Sequence, residues 1–423
     1  MNIGIFEDSG WRDLLPLTWL RPAWELRCGV STLLSIVEHR FGRAPALLWM
    51  RPSLAPVVKP RTVLTPATPH VRWCLVNARA LLTDAIVAPP VGTVWTVNGR
   101  AALIGVKPDH VEGLDANVFL NDTLLQEWLS GYHVEQAPPS VRLVSYPWQL
   151  VGWNGAELRR QLDPVHAAPD TPGAKLGQHR GTIHNGAQLV KADSIYVGDH
   201  ASIKPGVVLD AEDGPIAIDE GAQLQPNAVV IGPAYIGPGS IIRPNAIIRE
   251  NTSIGPVCRA GGEIEGSIML GYCNKQHDGF LGHSYIASWV NFGAGTITSD
   301  LKNTYGKVRA KLSGVEMETG EQFLGTIAGD HTKTGIGTIL PTGCILGACS
   351  NVFMHAAVPR FVPSFAWLTS GGMTGYEVDK AIALARTVMG RRKLTLSDEE
   401  AWLLKEVAIL AREIEHPGWA TNE

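Results

Sequence analysis

Residues 231–256 read "IGPAYIGPGSIIRPNAIIRENTSIGP", and their apolar positions recur at a fixed step of six. Ile236, Ile242, Ile248 and Ile254 continue a series begun at Ile218, Leu224 and Val230, often followed by Gly or Arg and then Pro. Val197, Ile203 and Leu209 keep the same step, and a three-residue insertion at 211–213 shifts the phase before Ile218. The period returns at Phe280, Ile286 and Phe292, and again at Leu340, Leu346, Val352 and Val358. A hexad is too short for a helix–turn unit and too regular for an ordinary sandwich. It predicts short strands stacked as rungs around corners that glycine permits. Such rungs lie ~4.8 Å apart, and none can bury its apolar face alone.

Two stretches break the pattern. Residues 299–325, opening "SDLKNTYGKVRAKLSGVEMETGEQF", are too polar for rungs and read as a loop thrown out of the wall, with Tyr305 and Arg309 as candidates to reach a neighbouring subunit's site. After Pro363, "GYEVDKAIALARTVMGRR" has helical apolar spacing, and "SDEEAWLLKEVAILARE" opens with Ser397 and Glu400 placed as a capping box. These two helices are expected to cover the solenoid's end or a neighbouring subunit, because a bare last rung exposes a strand edge. Upstream, "NIGIF", "APALLWM", "WCLVNA" and "GTVWTV" alternate with helical patches such as "VSTLLSIVEHRF", which predicts an α/β domain. In "YPWQLVGWNGAELRRQL", Asn154 and Glu157 read as a helix start, and "DPVHAAPDTPGAK" as a linker. The expected division is an α/β domain at 1–150, helix and linker at 151–175, repeats at 176–370 and a helical extension at 371–423.

Composition narrows the function class. Forty-five glycines and twenty-eight prolines in a chain that is 45% hydrophobic fit a turn-rich β architecture. A net charge of −4 with both signs interspersed gives no footprint for nucleic acid or an anionic membrane, so a small-molecule partner is expected. Cys28, Cys74, Cys258, Cys273, Cys344 and Cys349 are scattered without metal-ligand spacing, which suits a reducing cytoplasm. The acidic N-terminus and the lack of a long apolar run predict neither a secretory signal nor a membrane span.

Residues 10–23, "GWRDLLPLTWLRPA", resemble the signature loop of sugar-nucleotide pyrophosphorylases, with Gly10, Arg12, Pro16, Leu17, Thr18 and Pro22 in matching order. Turn amides and an arginine fork suit a triphosphate. The resemblance implies a nucleotide site at Gly10, Arg12, Thr18, Arg21 and Arg27, and Mg²⁺ if the domain is active. Departures are plain: a single glycine remains, Ala23 stands where the family has its lysine, and no metal ligand is assigned, with Asp8 and Asp122 as the carboxylates considered.

The stretch "NKQHDGFLGHSYIASWVNFGAGT" at 274–296 resembles the acetyltransferase half of the bifunctional N-acetylglucosamine-1-phosphate uridylyltransferase and glucosamine-1-phosphate acetyltransferase family. Together with "SDLKNTYG" and "GDHTKTGIG" it is similar to that family's alternative-form branch, along nearly the whole chain. The resemblance implies a left-handed β-helix of hexapeptide repeats, a homotrimer, and acetyl-CoA as co-substrate. It maps the catalytic base to His277, with His283 as the alternative. Arg259, Lys275, Phe280, Asn291 and Asp300 take the sugar phosphate, while Gly293, Ala294, Gly295, Thr296, His331 and Lys333 line the acetyl-CoA site. The chemistry suits these residue types: an imidazole starts near neutrality and can take a proton from an attacking amine, and a backbone N–H in a tight bend can stabilise an oxyanion. The expected function is therefore an acyl-CoA-dependent N-acetyltransferase on an amino-sugar 1-phosphate, coupled to a sugar-1-phosphate nucleotidylyltransferase domain. The rivals are a nucleotidylyltransferase whose β-helix is purely structural, and a non-catalytic sugar-nucleotide-binding solenoid.

Overall fold

The computed structural model of the chain describes residues 1–354 and 356–416. It divides into two compact units. The first comprises Met1–Leu14, Leu20–Leu26 and Ser31–Tyr146; the second comprises Leu15–Trp19, Arg27–Val30 and Pro147 onward.

The first unit is built on a six-stranded mixed sheet, ordered Leu47–Trp49, Asn2–Phe6, Trp73–Asn77, Arg100–Val106, Thr93–Val97, His133–Gln136. The first three strands are mutually parallel and the Arg100–Val106 strand runs against both its neighbours. All four strands expected from the sequence are present. The helix Leu33–Phe41 starts where Thr32 caps it by accepting from the Ser35 N–H, and ends at Gly42 with φ 66°. Phe119 closes one side of the sheet, its ring 4.6 Å from Phe6 and 5.2 Å from Trp49, centre to centre.

The second unit is a parallel β-solenoid with three faces. Six strands from Thr182–Ile183 to Asn274–Lys275 form the first face and six from Gln188–Val190 to Phe280–Gly282 the second. Nine strands from Ile195–Val197 to Phe361–Val362 form the third. The hexad positions are the interior: Val197, Ile203, Leu209, Ile218, Leu224, Val230, Ile236, Ile242, Ile248 and Ile254 are all fully buried in one continuous core. Coils stack closely enough that a Cβ on Gly255 would collide with the carbonyl of Leu270 on the coil below. At the corner after the third face, Tyr272, Trp289 and His331 all take φ near 60°. Their rings stack along the axis, Tyr272 on Trp289 at 4.3 Å and Trp289 on His331 at 6.1 Å.

Two expectations change in detail. Phe280 is half-exposed and Leu281 is the buried residue of that rung, because coils below Ile254 are shortened and the phase slips by one. The helix near residue 150 runs Pro147–Gln161, so Asn154 and Glu157 lie mid-helix rather than at its start. Asn154 acts as a buried clasp, accepting from the Gly29 N–H at 2.7 Å and donating to the Asn251 carbonyl at 2.7 Å. The 299–325 loop is a true excursion, and within it Arg309–Leu312 pairs with Val315–Glu318 as an antiparallel hairpin. Both C-terminal helices form, Val378–Gly390 and Asp398–Glu415, and the Ser397–Glu400 capping box is complete. The end of the second is anchored by Glu415, which accepts from Trp19 Nε1 at 2.8 Å and from the Ser364 N–H at 2.6 Å.

Candidate active site

The corner between the first and second faces carries a column of small or turn-forming residues: Gly261–Gly262, then 277–279, then 293–296, then 335–337. The Gly295 N–H donates to the Asp278 carbonyl at 3.2 Å, and the Gly337 N–H to the Ala294 carbonyl at 2.7 Å. His277 therefore lies one coil above the Gly293–Thr296 bend, on the same edge of the prism, and its ring is exposed. A Cβ on Gly279 would strike the Thr296 carbonyl, so this close stacking needs glycine there.

The amides of the bend are mostly committed. Gly293 donates to Thr334, Gly295 to Asp278 and Thr296 to the Gly293 carbonyl. Among the described residues, Ala294 is the member whose N–H meets no acceptor, and it is half-buried. Thr296 is turned inward, its Oγ1 2.8 Å from Thr334 Oγ1.

Lys275 departs from its expected place on the sugar phosphate. It pairs with Ala260, an interior position, and is only 3% exposed. Its ammonium reaches the corner from inside and donates to the carbonyls of Gly261 at 2.9 Å and His277 at 2.8 Å. Burial lowers its pKa to about 8, with Asp278 opposing. The group thus holds the His277 turn rather than facing solvent. Because the folded pKa lies below the unfolded value, the folded chain binds fewer protons between pH 8 and 10.5, and stability rises with pH in that window. Relative to Lys275→Met, the wild type should gain up to about 3 kcal/mol of unfolding free energy between those pH values, measured by denaturant titration. A constant difference across the window contradicts the burial of a charged amine.

Outward positions of the first face bring several expected residues into one stripe. Arg259 pairs with Asn274, Asn274 with Asn291, Asn291 with Lys333, and Lys333 with Asn351. Lys333 bends back, donating to the His331 carbonyl at 2.8 Å, and burial lowers its pKa, with Cys349 opposing. His331 is 7% exposed and sits at the corner beyond this face, within the aromatic stack.

His283 and Asp300 lie at the next corner, between the second and third faces. His283 Nδ1 is 2.8 Å from Asp300 Oδ2, and its ring lies against Phe323, 5.1 Å between centres. The Asp300 carboxylate orients this imidazole and does not join His277. The strand Phe280–Gly282 separates the two histidines, so one reacting atom cannot meet both.

In the first unit, Asp8 ends the strand Asn2–Phe6 and is buried against Arg79, at 2.8 Å to Nε and 2.5 Å to Nη2, with Asn77 Nδ2 at 3.0 Å. Burial works to raise its pKa, but the Arg79 guanidinium outweighs it and holds the carboxyl below its ordinary value. The Gly10 N–H donates to the same carboxylate at 3.2 Å, and Gly10 packs against the Arg79 guanidinium. The turn expected to cradle phosphate is thus occupied by an internal anion. Arg12 is exposed and lies 4.9 Å from the Trp11 ring centre, while the Arg21 carbonyl accepts from Arg51 at 3.1 Å. Thr18 and Arg27 belong to the second unit: Thr18 is fully buried, and Arg27 donates to the Val30 carbonyl and lies over Tyr235. Neither Gly10 nor Thr18 offers an open group to a nucleotide.

A cavity of about 360 Å³ beside Asp8 is lined by Thr96, Arg100, Ala101, Asp122, Leu125 and Leu129, among others. Asp122 there accepts from Ser9 Oγ at 2.6 Å and pairs with Arg100 at 3.5 Å. A magnesium ion needs carboxylate oxygens free to replace its waters. Asp8 is neutralised by Arg79 and offers no free oxygen, whereas Asp122 is exposed and only 3.5 Å from Arg100. Asp8 does not fit a Mg²⁺ ligand, and among the described residues no group of three His, Cys, Asp or Glu forms a metal cluster.

Arg243, Asn274 and Arg392, which lie around Arg259, are positions that sequence reasoning missed. The hexad register alone places Arg243 at a corner after inward Ile242, whereas Arg392 meets Asn274 across 118 residues, with no local signal.

Residues 3–167 match the family model for sugar nucleotidyl transferases. Curated relatives include a bifunctional sugar-1-phosphate nucleotidylyltransferase/acetyltransferase of Sulfurisphaera tokodaii, 32% identical over 100 residues, which are 24% of this chain and 25% of that one. The bifunctional protein GlmU of Methanococcus maripaludis is 36% identical over 149 residues, covering 35% and 36% of the two chains. That of a Cyanothece strain is 27% identical over 198 residues, covering 42% and 40%. The chain thus spans between a quarter and two-fifths of these relatives' length. Among solved structures, an Arabidopsis UDP-N-acetylglucosamine acyltransferase is 15% identical, covering 56% of this chain and 91% of that one with a TM-score of 0.24. The chain is similar to bifunctional nucleotidylyltransferase/acetyltransferases, with residues 3–167 resembling sugar nucleotidyl transferases and a parallel β-solenoid following them.

Proposed function

We propose that the chain is an acyl-CoA-dependent N-acetyltransferase acting on an amino-sugar 1-phosphate, with the groove at the first corner of the solenoid as its site. The observation that carries this reading is the pairing of an exposed imidazole, His277, with the uncommitted Ala294 N–H one coil below on the same edge. The acceptor's amine attacks the thioester carbonyl and His277 takes the proton it loses. The carbonyl oxygen gains negative charge, which the Ala294 N–H stabilises. Collapse of the tetrahedral intermediate expels the coenzyme thiolate, which is protonated as it leaves. Lys275 positions the His277 turn from inside, and Asn291, on the neighbouring outward stripe, orients the sugar.

The first domain is proposed to act on the same metabolite class, as a sugar-1-phosphate nucleotidylyltransferase or, given the Asp8–Arg79 pair in its loop, as a domain that only binds the sugar nucleotide. A cytoplasmic homotrimer is part of this reading. One incubation with acetyl-CoA, glucosamine 1-phosphate, UTP and Mg²⁺, followed by mass spectrometry, tests it. Acetylated sugar phosphate with released coenzyme thiol is the expected result. A nucleotide sugar formed without coenzyme A consumption supports the structural-solenoid rival, and absence of any product supports a binding solenoid.

A further inference from the structure

We propose that Arg79 takes the place of a divalent metal in the first unit: its guanidinium is the fixed cation beyond the strands Asn2–Phe6 and Trp73–Asn77, and the cavity beside Asp8 takes an uncharged hexopyranose ring with no metal ion. That the ring belongs to a nucleotide sugar rests on the reading of the first domain as a sugar-nucleotide binder; the metal-free site does not.

The two strands are parallel neighbours, Phe6 beside Asn77, and the space beyond their carboxyl ends is where open α/β sheets take ligands. Asp8 and Arg79 each stand just past a strand end, 3% and 1% exposed. Both carboxylate oxygens meet the guanidinium, and its Nη1 donates to the Val144 carbonyl at 2.6 Å. Asn77 closes the group from two sides, donating to Asp8 and accepting from the Arg79 main-chain N–H, both at 3.0 Å. Gly10 is required beside it, since a Cβ there would fall 2.4 Å from Arg79 Nη2. The same cation is felt by a second carboxylate: burial raises the Asp13 pKa, and Arg79 is the foremost charge opposing that rise. A buried guanidinium stays charged and cannot be chelated. Unlike Mg²⁺, it offers no exchangeable waters for a phosphate to replace.

The charged groups of the cavity cancel. Asp8 is matched by Arg79, and Asp122 stands with Arg100 at the rim, where Ser9 Oγ donates to Asp122 at 2.6 Å and accepts from Arg100 at 2.9 Å. Thr96, Arg100, Asp122 and Gln126 form a polar edge, and Leu125 and Leu129 an apolar wall. A hexopyranose carries the matching pattern. Its vicinal hydroxyls donate to a carboxylate and accept from a guanidinium or amide, while its carbon-bound hydrogens lie against aliphatic side chains. A volume of about 360 Å³, near the lower end for small-molecule sites, suits one such ring.

The competing explanation is that the Asp8–Arg79 pair only buttresses the sheet and the cavity binds nothing. Calorimetric titration of the full chain with UDP-N-acetylglucosamine, N-acetylglucosamine and UDP, each in EDTA and in excess Mg²⁺, separates the two. The nucleotide sugar should bind with the same affinity, within about threefold, in both buffers, and about tenfold or more tighter than UDP. Asp122→Asn, at the rim and away from the buried pair, should weaken it about tenfold or more with an unchanged thermal midpoint. No binding of either sugar probe, a requirement for Mg²⁺, UDP bound as tightly as the nucleotide sugar, or full affinity in Asp122→Asn overturns the proposal. N-acetylglucosamine bound in EDTA, with the same Asp122 dependence, while both nucleotides fail to bind upholds the metal-free sugar site and removes the nucleotide-sugar assignment.

Discussion

His277→Ala should lower acetyl transfer by roughly 10²–10⁴ while leaving the thermal midpoint unchanged. The ring is exposed and sits on a turn held by main-chain and Lys275 contacts, so its removal deletes chemistry and almost no packing. His283→Ala provides the counterpart. That imidazole, hydrogen-bonded to Asp300 and packed on Phe323, lies at a different corner, and its loss should leave the turnover number within a few-fold of wild type. The reverse pattern, with His283 essential and His277 dispensable, transfers the chemistry to the second corner. Steady-state release of coenzyme thiol measures both.

The second large effect concerns the first unit. Arg79→Met should destabilise it by about 3–5 kcal/mol, because the buried Asp8 carboxylate loses its ion pair and keeps its desolvation penalty. The pH dependence has a definite sign. In the wild type Asp8 is held below its ordinary pKa, so its contribution is present above the unfolded value of 3.8 and is lost as pH falls through the folded one. In Arg79→Met, burial, the largest influence, is opposed only by the Asn77 hydrogen bond and the Arg100 charge, so the group rises and the destabilisation should shrink as acid neutralises it. The double variant Asp8→Leu, Arg79→Met should recover much of the loss. Denaturant unfolding monitored through the first unit's tryptophans reads all three, and a single variant as stable as the wild type contradicts the pair's structural role.

The solenoid was legible because its signal is repeated. The inward positions from Val197 to Ile254 follow a six-residue step broken once, by the insertion at 211–213, and every one of them is buried. Legibility failed where the step is shortened: Phe280 and Leu281 exchange roles, and Lys275 falls on an interior position that its residue type argues against. The His277–bend relationship followed from the family resemblance, and the coil stacking gives it a geometric form. Asp300 and Lys275 separate from that groove because a triangular coil sends residues a few positions apart to different faces. In the N-terminal loop the motif residues are present, but their partners, Arg79 against Gly10 and Arg51 on the Arg21 carbonyl, lie far along the chain, and local pattern carries no trace of them.

The most direct test is a crystal structure of the full chain with coenzyme A and glucosamine 1-phosphate bound. The account predicts the thiol end beside Ala294, the sugar amine within hydrogen-bond reach of His277, and the phosphate against Arg259. A thiol seated instead at the His283–Asp300 corner, or bound with no contact to the 293–296 bend, contradicts it.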